Sequence, residues 1–162
     1  MPNIKDVRYV KFRVSDLRKQ QQFLHDFGLH TNIENGVLVA RGTDTSPYIY
    51  LAEEGPTPAF VSVGFLADSE AQLREIAAMD GVAVTENPLE GGGLIAQLTD
   101  PNGFTVDVVA NIAAAAPLAV ADRSGFNQGD AKQRLGERVA FSQTDCFILS
   151  LIHISEPTRL EP

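Results

Sequence analysis

Leu98-Thr99-Asp100-Pro101-Asn102-Gly103-Phe104-Thr105-Val106-Asp107-Val108 is the stretch that decides the fold. Pro101 presets φ near −65°, and Asn102 and Gly103 tolerate positive φ, so Asp100–Gly103 reads as a tight turn. On either side lie β-forming segments, Gly93–Thr99 and Phe104–Ala110. Working upstream, Val82–Thr85 reads as a short strand. Before it comes a helix with an apolar stripe of Leu73, Ile76 and Ala77, opened by Asp68-Ser69 and ended by Asp80-Gly81. Phe60–Leu66 alternates as a further strand, and Thr57-Pro58 breaks the chain ahead of it. The order from there to residue 112 is β-α-β-β-β.

The same order precedes it. Val7–Val14 alternates, with Val10, Phe12 and Val14 on one face. Ser15-Asp16 offers a helix N-cap, Leu17, Gln20, Leu24 and Phe27 recur at helical spacing, and Gly28 closes the helix. A short strand is expected near Thr31–Ile33. Asn35-Gly36 is a hairpin signal, because both residues accept the positive φ of a type I′ turn. Val37–Ala40 and Tyr48–Leu51 follow as strands. Two copies of one supersecondary unit, about residues 5–54 and 57–112, make an α+β domain spanning 1–112.

Composition limits what such a domain does. The 162-residue chain is 44% hydrophobic with a formal net charge of −8. That acidity disfavours nucleic acid and anionic membrane surfaces as partners. No run approaches the ~18 apolar residues of a membrane helix, and Met1–Arg8 is too polar for a signal peptide, so a cytoplasmic location is expected. The single cysteine, Cys146, excludes an internal disulfide and a paired-cysteine zinc site. No Gly-x-Ser-x-Gly elbow is present, and Gly91-Gly92-Gly93 precedes a strand rather than the helix N-terminus of a phosphate cradle. Phe60, Phe65, Tyr48 and Tyr50 are read as core aromatics before pocket lining.

Residues 113–145 are read as a linker or extension, rich in alanine and then polar, with a short helix near Ala131–Leu135. From Cys146 the character changes again. Leu149–Arg159 resembles the translation of a sequencing adapter, so 146–162 is expected to be a non-native tail.

The element order, with Val7–Leu17 and Leu98–Val108, resembles the vicinal-oxygen-chelate superfamily of glyoxalases, bleomycin-resistance proteins and extradiol dioxygenases. The resemblance implies that the paired βαβββ modules form a cupped mixed sheet with helices on the outside. Ser124–Leu135 further resembles the segment joining the two domains of an extradiol ring-cleavage dioxygenase. That resemblance implies that the chain corresponds to the N-terminal, non-catalytic domain of a truncated enzyme of that kind. Fe(II) or Mn(II) is expected in the domain that is missing.

The same resemblance fixes where metal ligands would fall: on the first strand, on the strand opening the second unit, and on the last strand. These positions hold Tyr9, Ser62 and Asp107, and the glyoxalase pattern adds a carboxylate where Tyr50 stands. Only Asp107 is a plausible ligand, since Tyr9 could ligate only as phenolate, whereas such metals want at least three protein ligands. No metal is therefore expected in this chain, and no catalytic residue is assigned. His25 falls on the first helix, His30 just past its end and His153 in the tail, none on an expected concave strand. The alternative reading is a stand-alone, metal-free protein of bleomycin-resistance type. It would form a homo-oligomer, a dimer in the simplest case, and sequester a small aromatic ligand.

Overall fold

The computed structural model describes residues 3–120. The Ala131–Leu135 helix, Cys146, His153 and residues 146–162 lie outside the described residues. The elements run β1 (Ile4–Val14), α1 (Leu17–Asp26), β2 (His30–Glu34), β3 (Val37–Arg41), β4 (Tyr50–Glu54), β5 (Ala59–Ala67), α2 (Glu70–Asp80), β6 (Val84–Glu86), β7 (Leu94–Thr99) and β8 (Thr105–Ala110). The eight strands among the described residues form one mixed sheet in the order β2-β3-β4-β1-β5-β8-β7-β6. Counted outward from its centre, each half repeats one arrangement: β1 pairs parallel with β4, and β5 parallel with β8. The halves join where β1 runs antiparallel to β5.

Local chemistry sets the ends of these elements. The Asp16 side chain accepts the Lys19 amide at 3.0 Å and caps α1. Ser69 caps α2 through the Gln72 amide, and Gly81 ends it at φ 66°. Asn35 and Gly36, at φ 51° and 78°, make the hairpin turn between β2 and β3. Asp100 accepts the amides of Asn102 and Phe104 at 2.9 and 2.8 Å, so its side chain builds the turn between β7 and β8. Those bonds, the Phe104 amide foremost, hold its carboxyl below the usual range. Gly103 adopts positive φ in that turn and Asn102 does not.

Two helix-side cores cover one face of the sheet. Leu17, Leu24 and Leu29 pack on Val10, Leu38, Ala40, Tyr50 and Ala52. Leu73 and Ala77 pack on Ala67, Ala96, Val108 and Ala110. A third core lies on the opposite face and joins the modules: Tyr9, Tyr48, Leu51, Ile95 and Val109. Strands buried on both faces lose polar alternation, which is why β8 reads as a run of Val and Ala around one Asp.

Three expectations need correction. The strand expected at Tyr48–Leu51 is Tyr50–Glu54, two residues later. Pro47 has no amide hydrogen to offer a ladder, and pairing resumes when the Ile49 amide reaches the Ala40 carbonyl at 2.9 Å. The strand expected at Val82–Thr85 is Val84–Glu86, because the Val82 amide still serves the helix by bonding the Ala77 carbonyl. His30 opens β2 rather than lying between elements, since Gly28 at φ 97° turns the chain straight out of α1. Residues 111–120 carry neither helix nor strand, yet 113–118 fold back across the domain. The amides of Ala113, Ala115 and Leu118 bond the carbonyls of Gly91, Thr45 and Thr43 at 2.9, 2.9 and 3.0 Å.

Candidate functional site

The sheet register carries one row of residues across four strands on the face away from the helices. Tyr9 on β1 stands opposite Gly64 on β5, Gly64 opposite Asp107 on β8, and Asp107 opposite Gln97 on β7. Ser62 lies two residues before Gly64 on β5 and so shares its face. The row closes on Asp107. Its Oδ2 accepts the Tyr9 hydroxyl at 2.8 Å and the Ser62 hydroxyl at 2.6 Å, and its Oδ1 accepts Gln97 Nε2 at 3.0 Å. Ser62 and Asp107 are 1% and 2% exposed, so these bonds replace water rather than compete with it.

Gly64 makes the row possible by lacking a side chain. A Cβ there would lie 2.6 Å from Tyr9 Cζ, inside any tolerable contact. The Tyr9 ring therefore lies flat across β5 and reaches β8. Its edge meets Tyr48 at 5.4 Å between centroids, and Asn87 Nδ2 donates to the Tyr48 hydroxyl at 2.9 Å. Burial pushes the Tyr9 phenol far above its ordinary value, and the charge and hydrogen bond of Asp107 push the same way. Burial raises Tyr48 too, against the opposing effect of the Asn87 bond.

Above this hub opens a cleft of about 410 Å³, with Tyr9, Gln97 and Asp107 at its base and Leu51, Leu89 and Ile95 among its walls. Lys11 also lines it, its amine 2.9 Å from Glu53 Oε2, while Arg13 Nη2 reaches Glu53 Oε1 at 2.8 Å. These cations, Lys11 first, hold the Glu53 carboxyl below its ordinary range.

The structure thus brings Tyr9, Ser62 and Asp107 together and leaves Tyr50 out. Tyr50 faces α1 in the first helix-side core, where Gln20 Nε2 donates to its hydroxyl at 3.0 Å. On β4 it is Leu51, not Tyr50, that lines the cleft above the hub. Gln97 and Gly64 escaped the sequence reading. Their only signals were a polar residue at the cleft-facing position of β7 and a glycine interrupting a strand. Tyr48 and Tyr50 lie on opposite faces, and Phe60 sits at the sheet's end against Phe12 and Phe104, so the four aromatics line no common pocket. His25 and His30 are exposed, away from the hub.

The donor set does not fit a divalent metal. Asp107 is the one carboxylate in the row, and both its oxygens already accept hydrogen bonds. Among the described residues, no three His, Cys, Asp or Glu stand close enough to hold a metal ion. No described helix is long and apolar enough to cross a membrane.

No family model matches the sequence, and no curated protein does. Solved structures do. The Mn(II)-bound glyoxalase from Novosphingobium aromaticivorans superimposes with a TM-score of 0.66 at 18% identity, over 75% of this chain and 44% of that one. Homoprotocatechuate 2,3-dioxygenase from Brevibacterium fuscum, in complex with 3,4-dihydroxyphenylacetate, gives 0.64 at 20% identity, over 72% of this chain and 40% of that one. A variant of the same dioxygenase gives 0.64 over 35% of its length. The chain spans less than half the length of these proteins. With its paired βαβββ modules sharing one eight-stranded sheet, the chain has the vicinal-oxygen-chelate fold that the glyoxalase and the extradiol dioxygenase share.

Proposed function

We propose that residues 3–120 form a metal-free, non-catalytic vicinal-oxygen-chelate domain of an extradiol, catechol-type ring-cleavage dioxygenase of the cytoplasm. Its work is scaffolding and oligomer contact, while Fe(II) or Mn(II) is held by another domain of the parent protein. The observation that carries this reading is the Asp107 hub. Ring cleavage of this type uses an open-sided metal held by histidines and a carboxylate. Tyr9, Ser62 and Asp107 stand at the positions the resemblance assigns to those ligands, and Tyr9, Ser62 and Gln97 all hydrogen-bond to the one carboxylate, Asp107, which supports the metal-free reading. The likeness to a dioxygenase over less than half its length supports the same reading.

Elemental analysis after loading the purified chain with Fe(II), Mn(II) or Zn(II) tests it, with ring cleavage of 3,4-dihydroxyphenylacetate as the second readout. Substoichiometric metal and no cleavage are expected. Near one equivalent of tightly held metal, lost in Asp107→Ala, would overturn the proposal.

The cleft above the hub favours a second reading, a metal-free protein that sequesters a small aromatic molecule. Its apolar residues Leu51, Leu89 and Ile95 above a polar base support that reading. Calorimetry with catechol in the presence of a chelator separates the two, because a scaffold domain releases no saturable heat.

A further inference from the structure

A second cleft, of about 430 Å³, lies beside the first on the outer strands β2 and β3, with Val37, Pro88 and Leu89 lining both. Neither the hub nor its neighbours use it. His30 and Arg41 stand directly opposite one another in the β2–β3 register, and both line this cleft. As a cross-strand pair they share one face of the hairpin, an imidazole beside a guanidinium, and both offer N–H donors to an anion placed between them.

Arg41 is half-buried and has no carboxylate within 4.0 Å among the described residues. Its Nη2 donates to the carbonyls of Asp44 and Ala116 at 2.7 and 2.8 Å, and its Nε contacts the Gly42 carbonyl at 3.4 Å. These bonds fix the guanidinium without neutralising it, and they leave both Nη1 donors unused among the described residues. A fixed guanidinium with a free pair of donors suits a carboxylate.

The rest of the cleft limits what carries that carboxylate. Val37, Val39, Leu89 and Leu118 supply apolar walls. Glu34 lies four residues along β2 from His30, about 13 Å at a strand's rise, and Glu90 also lines the cleft. These acids disfavour a second negative charge on the ligand. We propose that this cleft binds a small organic monocarboxylate, with its charged head at His30 and Arg41 and its apolar body along Val37 and Val39. Leu118 belongs to the returning segment 113–118, so the chain beyond β8 completes the cleft wall.

The test is a titration of the full chain with sodium hexanoate, followed by amide chemical shifts. Hexan-1-ol, hexan-1-amine and hexanedioate serve as matched probes. Saturable binding with a dissociation constant on the order of 1 mM is expected for a probe this small. The shifts should centre on residues 30–41, 88–90 and 118. The alcohol, the amine and the dianion should each bind at least about tenfold more weakly, because each loses or opposes the charge-assisted contact with Arg41, as should His30→Gln, which removes the imidazole from the cleft. Arg41→Gln should do the same. Arg41 also holds the returning segment, so His30→Gln and the headgroup series decide the matter if that variant does not fold. Three results would overturn the proposal: no saturation, hexan-1-ol binding as tightly as hexanoate, or shifts centred on Gln97 and Asp107.

Discussion

The hydroxyl of Tyr9 donates to Asp107 Oδ2 at 2.8 Å across 98 residues of sequence. The bond ties the first strand of one module to the last strand of the other over the intervening β5. Removing its acceptor orphans more than one group. In Asp107→Ala, the hydroxyls of Tyr9 and Ser62 and the amide of Gln97 all lose their partner, two of them where water does not reach. A loss of about 3 kcal/mol is expected, within the range for breaking a buried polar network. Tyr9→Phe removes one donor of three and should cost about 1 kcal/mol. Urea denaturation of both variants measures this, and an Asp107→Ala variant no less stable than Tyr9→Phe would show that the hub holds nothing together.

Gly64→Ala should destabilise by about 1–3 kcal/mol, the usual cost of forcing extra volume into a packed site. The new methyl strikes the Tyr9 ring, so the penalty should shrink when the ring is gone. Combined with Tyr9→Ala, the alanine at 64 should show a coupling of about 1 kcal/mol or more in a double-mutant cycle. Strict additivity would mean that something other than Tyr9 requires the glycine.

All three tyrosines of the chain, Tyr9, Tyr48 and Tyr50, have phenols raised above 10.0, in each case chiefly by burial. The sign follows from linkage. A raised folded value favours the protonated form, so its stabilisation is complete below the unfolded value near pH 10 and is lost as pH climbs above it. Each tyrosine withdraws up to about 1.4 kcal/mol per pH unit in that window. Tyrosinate absorbance should therefore rise together with loss of circular dichroism, in one transition above pH 10. Ionisation of two or three phenols in a chain that still shows native dichroism would contradict the burial described above.

The returning segment makes a prediction of its own. A chain ending after residue 112 loses the three backbone bonds of Ala113, Ala115 and Leu118, and the Arg41 bond to the Ala116 carbonyl. Compared with a chain ending after residue 120, it should be less stable by about 2–4 kcal/mol, at roughly 1 kcal/mol net for each bond. Thermal melts of the two chains check this, and coincident melts would show that the segment adds nothing to stability.

Asn35-Gly36, Asp100–Gly103, and the capping residues Asp16 and Ser69 were legible because each acts within about four residues of itself, through positive φ or a side chain bonding a nearby amide. Repeated twice, those signals determined the βαβββ order. The places of Tyr9, Ser62 and Asp107 on three of those strands came instead from the family resemblance. What the sequence alone left open is everything set by register. Tyr50 was aligned with the site, yet β4 starts two residues later than expected, and its parity turns Tyr50 to α1 and Leu51 to the cleft. With side chains alternating at a period of two, neighbours on one strand face opposite sides, and only pairing with β1 and β3 decides which side each takes. Gln97 and Gly64 joined the site for the same reason, being placed by strands 10 and more than 50 residues away rather than by their neighbours. The convergence of three donors on one carboxylate is likewise a property of the sheet, because the hydrogen bonds that close it run across strands and leave no trace along any one of them.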